Sequence, residues 1–257
     1  MDRIELELYL NNVLQTSRFK DYCPNGLQVP GPATASAIAT GVSAGAELFE
    51  LAARAQADLL LVHHGLFWGS GPPGPVDQQL KRRLQLLFDH DIALAAYHLP
   101  LDAHARLGNN ALIAAALGAR RLDDPFALHH GEPIGCLARF SEAAGEGLPA
   151  AELFARVHAL TEREPLVFDT GPARVHRLAI VSGAGCDYLA DAASAGAQAL
   201  LTGEPAERVM SQARELGVHL IAAGHYATET FGVRALGEHL AERFGLRHVF
   251  LDVPNPV

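Results

Sequence analysis

Apolar positions recur along the chain in two alternating rhythms. Short apolar runs read as buried strands, and stretches with an apolar residue every three or four positions read as helices. A helix is expected over residues 3–15, where Ile4, Leu8, Leu10, Val13 and Leu14 can share a face. The stretch Asp21-Tyr22-Cys23-Pro24-Asn25-Gly26-Leu27-Gln28-Val29 then reads as a turn leading into a strand, on the strength of Pro24 and Asn25-Gly26. Ala37 to Ser43 is expected to be a strand, Ala46 to Ala55 a helix, and Asp58 to Val62 a strand that delivers His63-His64. Gly69 to Pro75 reads as a loop or lid. It is followed by a helix over Val76 to Phe88, an apolar run from Ile92 to Tyr97 and a short helix from Asn109 to Leu117.

The polar, turn-rich segment from Arg120 to Pro133 is expected to mark a boundary between two lobes, and its His129-His130 pair to be solvated. The same rhythm then resumes. Strands are expected at Ile134 to Phe140, Leu166 to Phe168, Leu178 to Val181, Ala199 to Leu201, Leu220 to Ala223 and His248 to Val253. Helices are expected at Pro149 to Leu160, 187–195, 205–216 and Thr228 to Phe244. Strands spaced by helices of this length predict an α/β fold of two lobes with mixed, largely parallel sheets. The lobes are expected at 1–125 and 126–257, with about residues 220–257 returning to complete a site carried by the first.

Several strand ends carry polar residues of one chemical kind: His63-His64, His98 with Asp102, and His225 with Glu229. In α/β sheets, loops at the carboxyl ends of strands are where ligands bind. Two readings of His63-His64 stand open from the dipeptide alone: one packed and one solvated histidine, or ligands to two different ions, because neighbours on a strand point to opposite faces. Taken together, His63, His64, Asp102, His225 and Glu229 offer three imidazoles and two carboxylates, a set that suits two divalent ions with Glu229 bridging. Such pairs generate a nucleophile and polarise an electrophile, and Zn, Fe, Mn, Co and Ni all accept these donors. His98 is expected beside the ligands as a hydrogen-bond partner or proton carrier, with Glu204 as a second catalytic candidate. Ser182-Gly183-Ala184-Gly185 and Thr202-Gly203-Glu204 read either as anion-binding helix starts or as ordinary tight turns.

With 257 residues, nearly half apolar, the chain can bury a sizeable core. A net charge of −9 disfavours a general grip on nucleic acid. Three scattered cysteines, Cys23, Cys136 and Cys186, fit burial in a reducing compartment. No apolar stretch is long enough to span a membrane and the first residues do not resemble a secretory signal, so a cytoplasmic location is expected.

Six segments occurring in order carry a family resemblance: Asp21 to Val29, His63-His64-Gly65-Leu66-Phe67-Trp68, His98-Leu99-Pro100-Leu101-Asp102, Ser182 to Gly185, Thr202-Gly203-Glu204 and Gly224-His225-Tyr226-Ala227-Thr228-Glu229. Together they resemble the NIF-three-like family, whose bacterial members are often labelled GTP cyclohydrolase I type 2 homologues, from about residue 4 to 253. The resemblance implies a dinuclear metal centre on His63, His64, Asp102, His225 and Glu229. It also implies a homohexamer built as a trimer of dimers, and a short form without the inserted mid-chain domain of some relatives. Gly65 stands where many relatives have proline, which is expected to loosen the loop after the histidine pair. The leading expectation is a metal-dependent hydrolase acting on a nucleotide or similar heterocycle at a C–N bond other than a peptide bond. A non-enzymatic metal-binding scaffold or metal-handling ring protein is the alternative. Nucleic-acid processing ranks third, against the acidic balance.

Overall fold

The computed structural model describes residues 1–69, 74–140 and 147–257. The chain forms two compact units, one of Met1–Leu101 with Gly232–Pro254 and the other of Asp102–Phe231 with Asn255–Val257. The division differs from a boundary near residue 125. Helix Asn109–Ala116 and strand Ala119–Arg121 join the second unit because they pack against the strands Cys136–Phe140 and Arg177–Val181. Asp102 falls with them.

The first unit is built on a five-stranded sheet in the order Gly26–Val29, Ala93–Ala96, Leu59–His64, Ala37–Ser43, Arg247–Phe250. Four of these strands run parallel, and Gly26–Val29 pairs antiparallel at one edge. Leu59 to Val62 and Ala93 to Ala96 are buried throughout, the signature of parallel strands covered on both faces. Leu60, Val62, Leu94 and Ala39 form their core with Phe49 and Leu48 of helix Ala46–Arg54. Caps fix where helices begin. Asp2 accepts from the amides of Ile4 and Glu5 at the start of helix Arg3–Leu14. Asp77 accepts from Leu80, so the helix expected from Val76 runs instead over Gln78–Asp89.

The second unit carries a six-stranded sheet in the order Leu166–Phe168, His219–Ala222, Ala199–Thr202, Arg177–Val181, Cys136–Phe140, Ala119–Arg121. Its three central strands are parallel, and the flanking pairings are antiparallel. The parallel character expected of both lobes is thus confined here to the centre. Leu178, Ile180, Leu201 and Ile221 pack with Leu153 and Val157 of helix Ala150–Thr161. The long helix expected from Thr228 begins three residues earlier and spans His225–Phe244. The segment read as a lobe boundary contains a hairpin, Leu128–His129 with Glu132–Pro133, turning through His130 and Gly131 at positive φ. His130 is exposed and His129 half-buried.

Cys23, Cys136 and Cys186 are buried free thiols. Among the described residues no helix is long and apolar enough to cross a membrane. Residues 70–73, part of the expected loop or lid, lie outside the described residues.

The entry to the first sheet depends on one carboxylate. Asp58 Oδ2 accepts from Ser36 N at 2.7 Å, Ser36 Oγ at 2.8 Å and Ala37 N at 2.9 Å. Partial burial works against its charge, but these donors and nearby Arg247 outweigh it and hold the carboxyl below its usual range. Because its folded pKa is depressed, the stabilisation is present above the unfolded value near 3.9 and fades as pH falls through the folded one. Asp58→Ala is expected to cost about 1–3 kcal/mol at neutral pH. In thermal or chemical denaturation, the gap to the unsubstituted chain should begin to narrow below about pH 4 and close as pH falls through the lower folded value.

Candidate metal centre

In the first unit, three imidazoles meet at the carboxyl end of the parallel strands. His63 and His64 are the last residues of strand Leu59–His64, and His98 follows strand Ala93–Ala96. Ring centroids lie 4.9 Å apart for His63–His64, 4.9 Å for His63–His98 and 5.6 Å for His64–His98. The two adjacent histidines therefore do not diverge to opposite faces as on an ideal strand: the strand ends at His64 and the rings converge. Each of the three offers a ligand nitrogen within 4.8 Å of the other two.

All three rings are held through Nδ1. His63 Nδ1 donates to the carbonyl of Tyr97 at 3.0 Å. His98 Nδ1 donates to Asp21 Oδ1 at 2.7 Å. His64 Nδ1 is hydrogen-bonded to Ser43 Oγ at 2.9 Å. A carbonyl and a carboxylate only accept, so in the neutral imidazoles of His63 and His98 the lone pair sits on Nε2.

Asp21 lies in the turn whose sequence signalled a change of direction and nothing more. Its Oδ2 also accepts from Leu99 N and from Asn25 Nδ2, each at 2.9 Å, while Asn25 Oδ1 accepts from His98 N. Burial alone would raise the Asp21 carboxyl; the His98 bond and charge, Asn25 and the Leu99 amide together hold it below the usual carboxylate range. Gln28 of the same segment closes over the loop after the histidine pair. It accepts from Leu66 N at 2.8 Å and donates to the Pro24 carbonyl at 2.9 Å. A Cβ on Gly65 would lie 2.3 Å from Gln28 Nε2. Gly65 thus leaves room for the Gln28 side chain against the loop. Trp68 anchors that loop through Nε1 to the Gly65 carbonyl, its ring 5.4 Å from His98 and 5.7 Å from His64.

In the second unit, His225 opens the long helix and Glu229 lies one turn on, with Nε2 and Oε2 3.2 Å apart. His225 Nδ1 bonds to Glu204 Oε1 from the turn after strand Ala199–Thr202. Partial burial disfavours charge on His225, but the carboxylates of Glu229 and Glu204 prevail and raise it to about 9. The pair of acids therefore makes this a point where positive charge is stabilised. Asp102 lies in the same unit, its Oδ1 accepting from Asn109 Nδ2 at 2.8 Å and Ser182 Oγ at 3.1 Å. The structure thus groups His225, Glu229 and Glu204, places Asp102 on the neighbouring Ser182 turn, and groups His63, His64 and His98 in the other unit.

The glycine turns serve this unit internally. Gly183 N donates to Thr228 Oγ1, Gly185 N to Thr202 Oγ1, and Gly203 N and Glu204 N both donate to the Gly183 carbonyl. With these amides engaged, the turns are structural and not anion cradles. Gly183 has φ +63°, and a Cβ there would lie 2.3 Å from Glu229 Oε1.

Imidazole nitrogens, that of His225 once its proton is released, and nearly buried carboxylates form a donor set that fits borderline divalent cations. The Nδ1 anchoring is the outer-shell arrangement that metal-binding histidines use. Gly183→Ala is expected to displace the Glu229 carboxylate and to cost about 1–3 kcal/mol from its left-handed backbone alone. Denaturation together with the chemical shifts of the His225 ring checks both effects.

The model of the Duf34/NIF3 (NGG1p interacting factor 3) family matches residues 1–256. A Pseudomonas aeruginosa protein named GTP cyclohydrolase 1 type 2 homolog is 43% identical over 243 residues, covering 95% of this chain and 94% of the relative. An Escherichia coli (strain K12) protein of the same name is 43% identical over 258 residues, with both chains fully covered. The solved structure of protein ybgI, of unknown function, superposes with a TM-score of 0.91 at 41% identity over the whole of both chains. A Thermus thermophilus protein, TTHA1606, does so with a TM-score of 0.89 at 41% identity, again over the whole of both. Matched end to end in sequence and in fold, the chain belongs to the DUF34/NIF3 family.

Proposed function

We propose that the chain is a metal-dependent hydrolase that opens a C–N bond other than a peptide bond in a nucleotide or related heterocycle. The observation that carries this reading is the shared anchoring of His63, His64, His98 and His225 through Nδ1. It directs imidazole Nε2 atoms toward ligation in a family whose relatives are named as cyclohydrolase homologues. Among the residues of the first unit, His63 and His64 would serve as ligands to divalent cations, and among those of the second, Asp102, His225 and Glu229 would. Bound there, the ions would supply Lewis acidity and a nucleophile at neutral pH.

The chain's own groups supply the rest. Glu229 is 2% exposed, so bulk water does little to screen its carboxylate, and His63 is 0% exposed beside its own anchoring carbonyl. Asn109 and Ser182 hold Asp102 in one orientation through neutral donors. Glu204, partly exposed and joined to His225 Nδ1, would take a proton at Oε1 and pass it to solvent.

Chelator-stripped protein should not turn over GTP or the related heterocycle that a substrate screen identifies, and added divalent metal should restore turnover. His63→Ala and Glu229→Gln should each abolish turnover while circular dichroism shows the metal-free chain still folded. Equal turnover by stripped protein contradicts the reading. Metal uptake without turnover across the screen would favour the metal-handling scaffold.

A further inference from the structure

Two large aromatic side chains of the first unit stand open to solvent beside its histidines. Tyr22 is 54% exposed and Trp68 is 52% exposed. Single exposed apolar side chains are ordinary, but these two come from separate segments and flank one imidazole, that of His98. We propose that Tyr22 and Trp68 form a stacking platform for the planar ring of a nucleobase or similar heterocycle, and so select the substrate class. The inference rests on the reading of the chain as acting on such a ring, and goes beyond it in naming the side chains that recognise the ring.

Geometry carries it. The Trp68 ring centroid lies 5.4 Å from that of His98 and 5.7 Å from that of His64, and the Tyr22 centroid lies 6.4 Å from that of His98. Trp68 lies flat against neither imidazole and Tyr22 does not lie flat against His98: the planes cross at 76°, 47° and 61°. The exposed half of each ring is thus available to a planar group entering from solvent. Both rings stand on fixed backbone. Gly69 N donates to the Tyr22 carbonyl at 2.6 Å, which ties the two segments together. Asp21 Oδ1 accepts from Tyr22 N at 2.6 Å and from Cys23 N at 3.3 Å. Trp68 Nε1 donates to the Gly65 carbonyl at 3.1 Å, so with its N–H committed the indole has its π surface to offer a ligand.

A heterocyclic ring is the occupant whose chemistry fits. Every base has a π face, and stacking on aromatic side chains is favourable whatever the base. Large aromatics bring contact area at little conformational cost, having two side-chain torsions each. A base stacked on Tyr22 and Trp68 would lie beside His64 and His98, where hydrolysis of a ring C–N bond needs it. A protein partner seated on the same two rings would cover those imidazoles, and a substrate of phosphate or aliphatic groups alone would gain no stacking from them.

Trp68 is the single tryptophan of the chain, so its fluorescence reports on this place. The test titrates the metal-loaded full chain with GTP, ATP and inorganic tripolyphosphate, each as its Mg²⁺ complex. GTP or ATP should quench Trp68 saturably, and tripolyphosphate, which has the phosphates and no ring, should not. In equilibrium dialysis with the quenching nucleotide, Tyr22→Leu and Trp68→Leu should each bind about 5–150-fold more weakly than the parent, whereas Tyr22→Phe, which keeps the ring, should bind like the parent. A purely structural pair would lower the unfolding midpoint and leave affinity unchanged. If Trp68→Leu does not fold, Tyr22→Leu against Tyr22→Phe decides alone. Absence of quenching by both nucleotides, equal quenching by tripolyphosphate, or parental affinity in Tyr22→Leu, with or without a change of oligomeric state, overturns the inference. Ring-dependent quenching without turnover of any screened heterocycle contradicts the hydrolase reading and leaves the platform standing. Turnover of a heterocycle with KM unchanged in Tyr22→Leu and Trp68→Leu does the reverse.

Discussion

An imidazole can present only one nitrogen in a chosen direction if the other is tied down. That constraint is met at His63 by the Tyr97 carbonyl, at His64 by Ser43, at His98 by Asp21 and at His225 by Glu204. The ties at His63, His64 and His225 follow from sheet register. Ser43 pairs with His64 and Val62 with Ala96, so the hydroxyl and the Tyr97 carbonyl arrive level with the histidines. In the second unit Val181 pairs with Thr202 and Thr202 with Ala222. Ser182, Gly203-Glu204 and Gly224-His225 then leave the sheet side by side. Parallel strands with flush ends build the chemistry, and the buried Val, Leu and Ala runs that set the register hold it in place.

The acids are held differently from the imidazoles. Asp102 rests on neutral donors, Asn109 and Ser182, whereas Glu229 faces His225 and the bare backbone of Gly183. A buried carboxylate is costly unless paired or hydrogen-bonded. Without a metal, positive charge on His225 meets that need, and a cation can take the same place. Thr202 and Thr228 tie the glycine turns around Glu229 to one another.

The strand–helix rhythm, and the recurrence of His, Asp and Glu where apolar runs stop, could be read from the chain because both are local. Periodicity reports burial; it does not report which way a polar side chain turns once the strand has ended. The approach of the His63 and His64 rings, centroids 4.9 Å apart at the strand's end, could not be read for that reason. The role of Asp21 was hidden because its partner lies 77 residues further on, and an Asp before Pro24-Asn25-Gly26 is fully accounted for as a turn residue. Gln28 was hidden likewise by its bond to Leu66, 38 residues away. The glycine turns could be read two ways because a helix-start amide looks the same in sequence whether it faces an anion or a threonine hydroxyl. The start of the long helix was missed by one turn. Gly224, His225 and Tyr226 include no Ser, Thr, Asp or Asn to signal a cap, and Thr228, which looks like one, instead bonds back to the Gly224 carbonyl.

The central claim is that imidazoles anchored through Nδ1 bind metal through Nε2. Anomalous diffraction from crystals grown with Zn²⁺ or Co²⁺ tests it most directly. The account predicts metal peaks about 2.0–2.1 Å from Nε2 of His63, His64 and His225, with every Nδ1 bond retained. Peaks at Nδ1 atoms, or no ordered metal at these histidines in protein shown to be folded and metal-loaded, would contradict it.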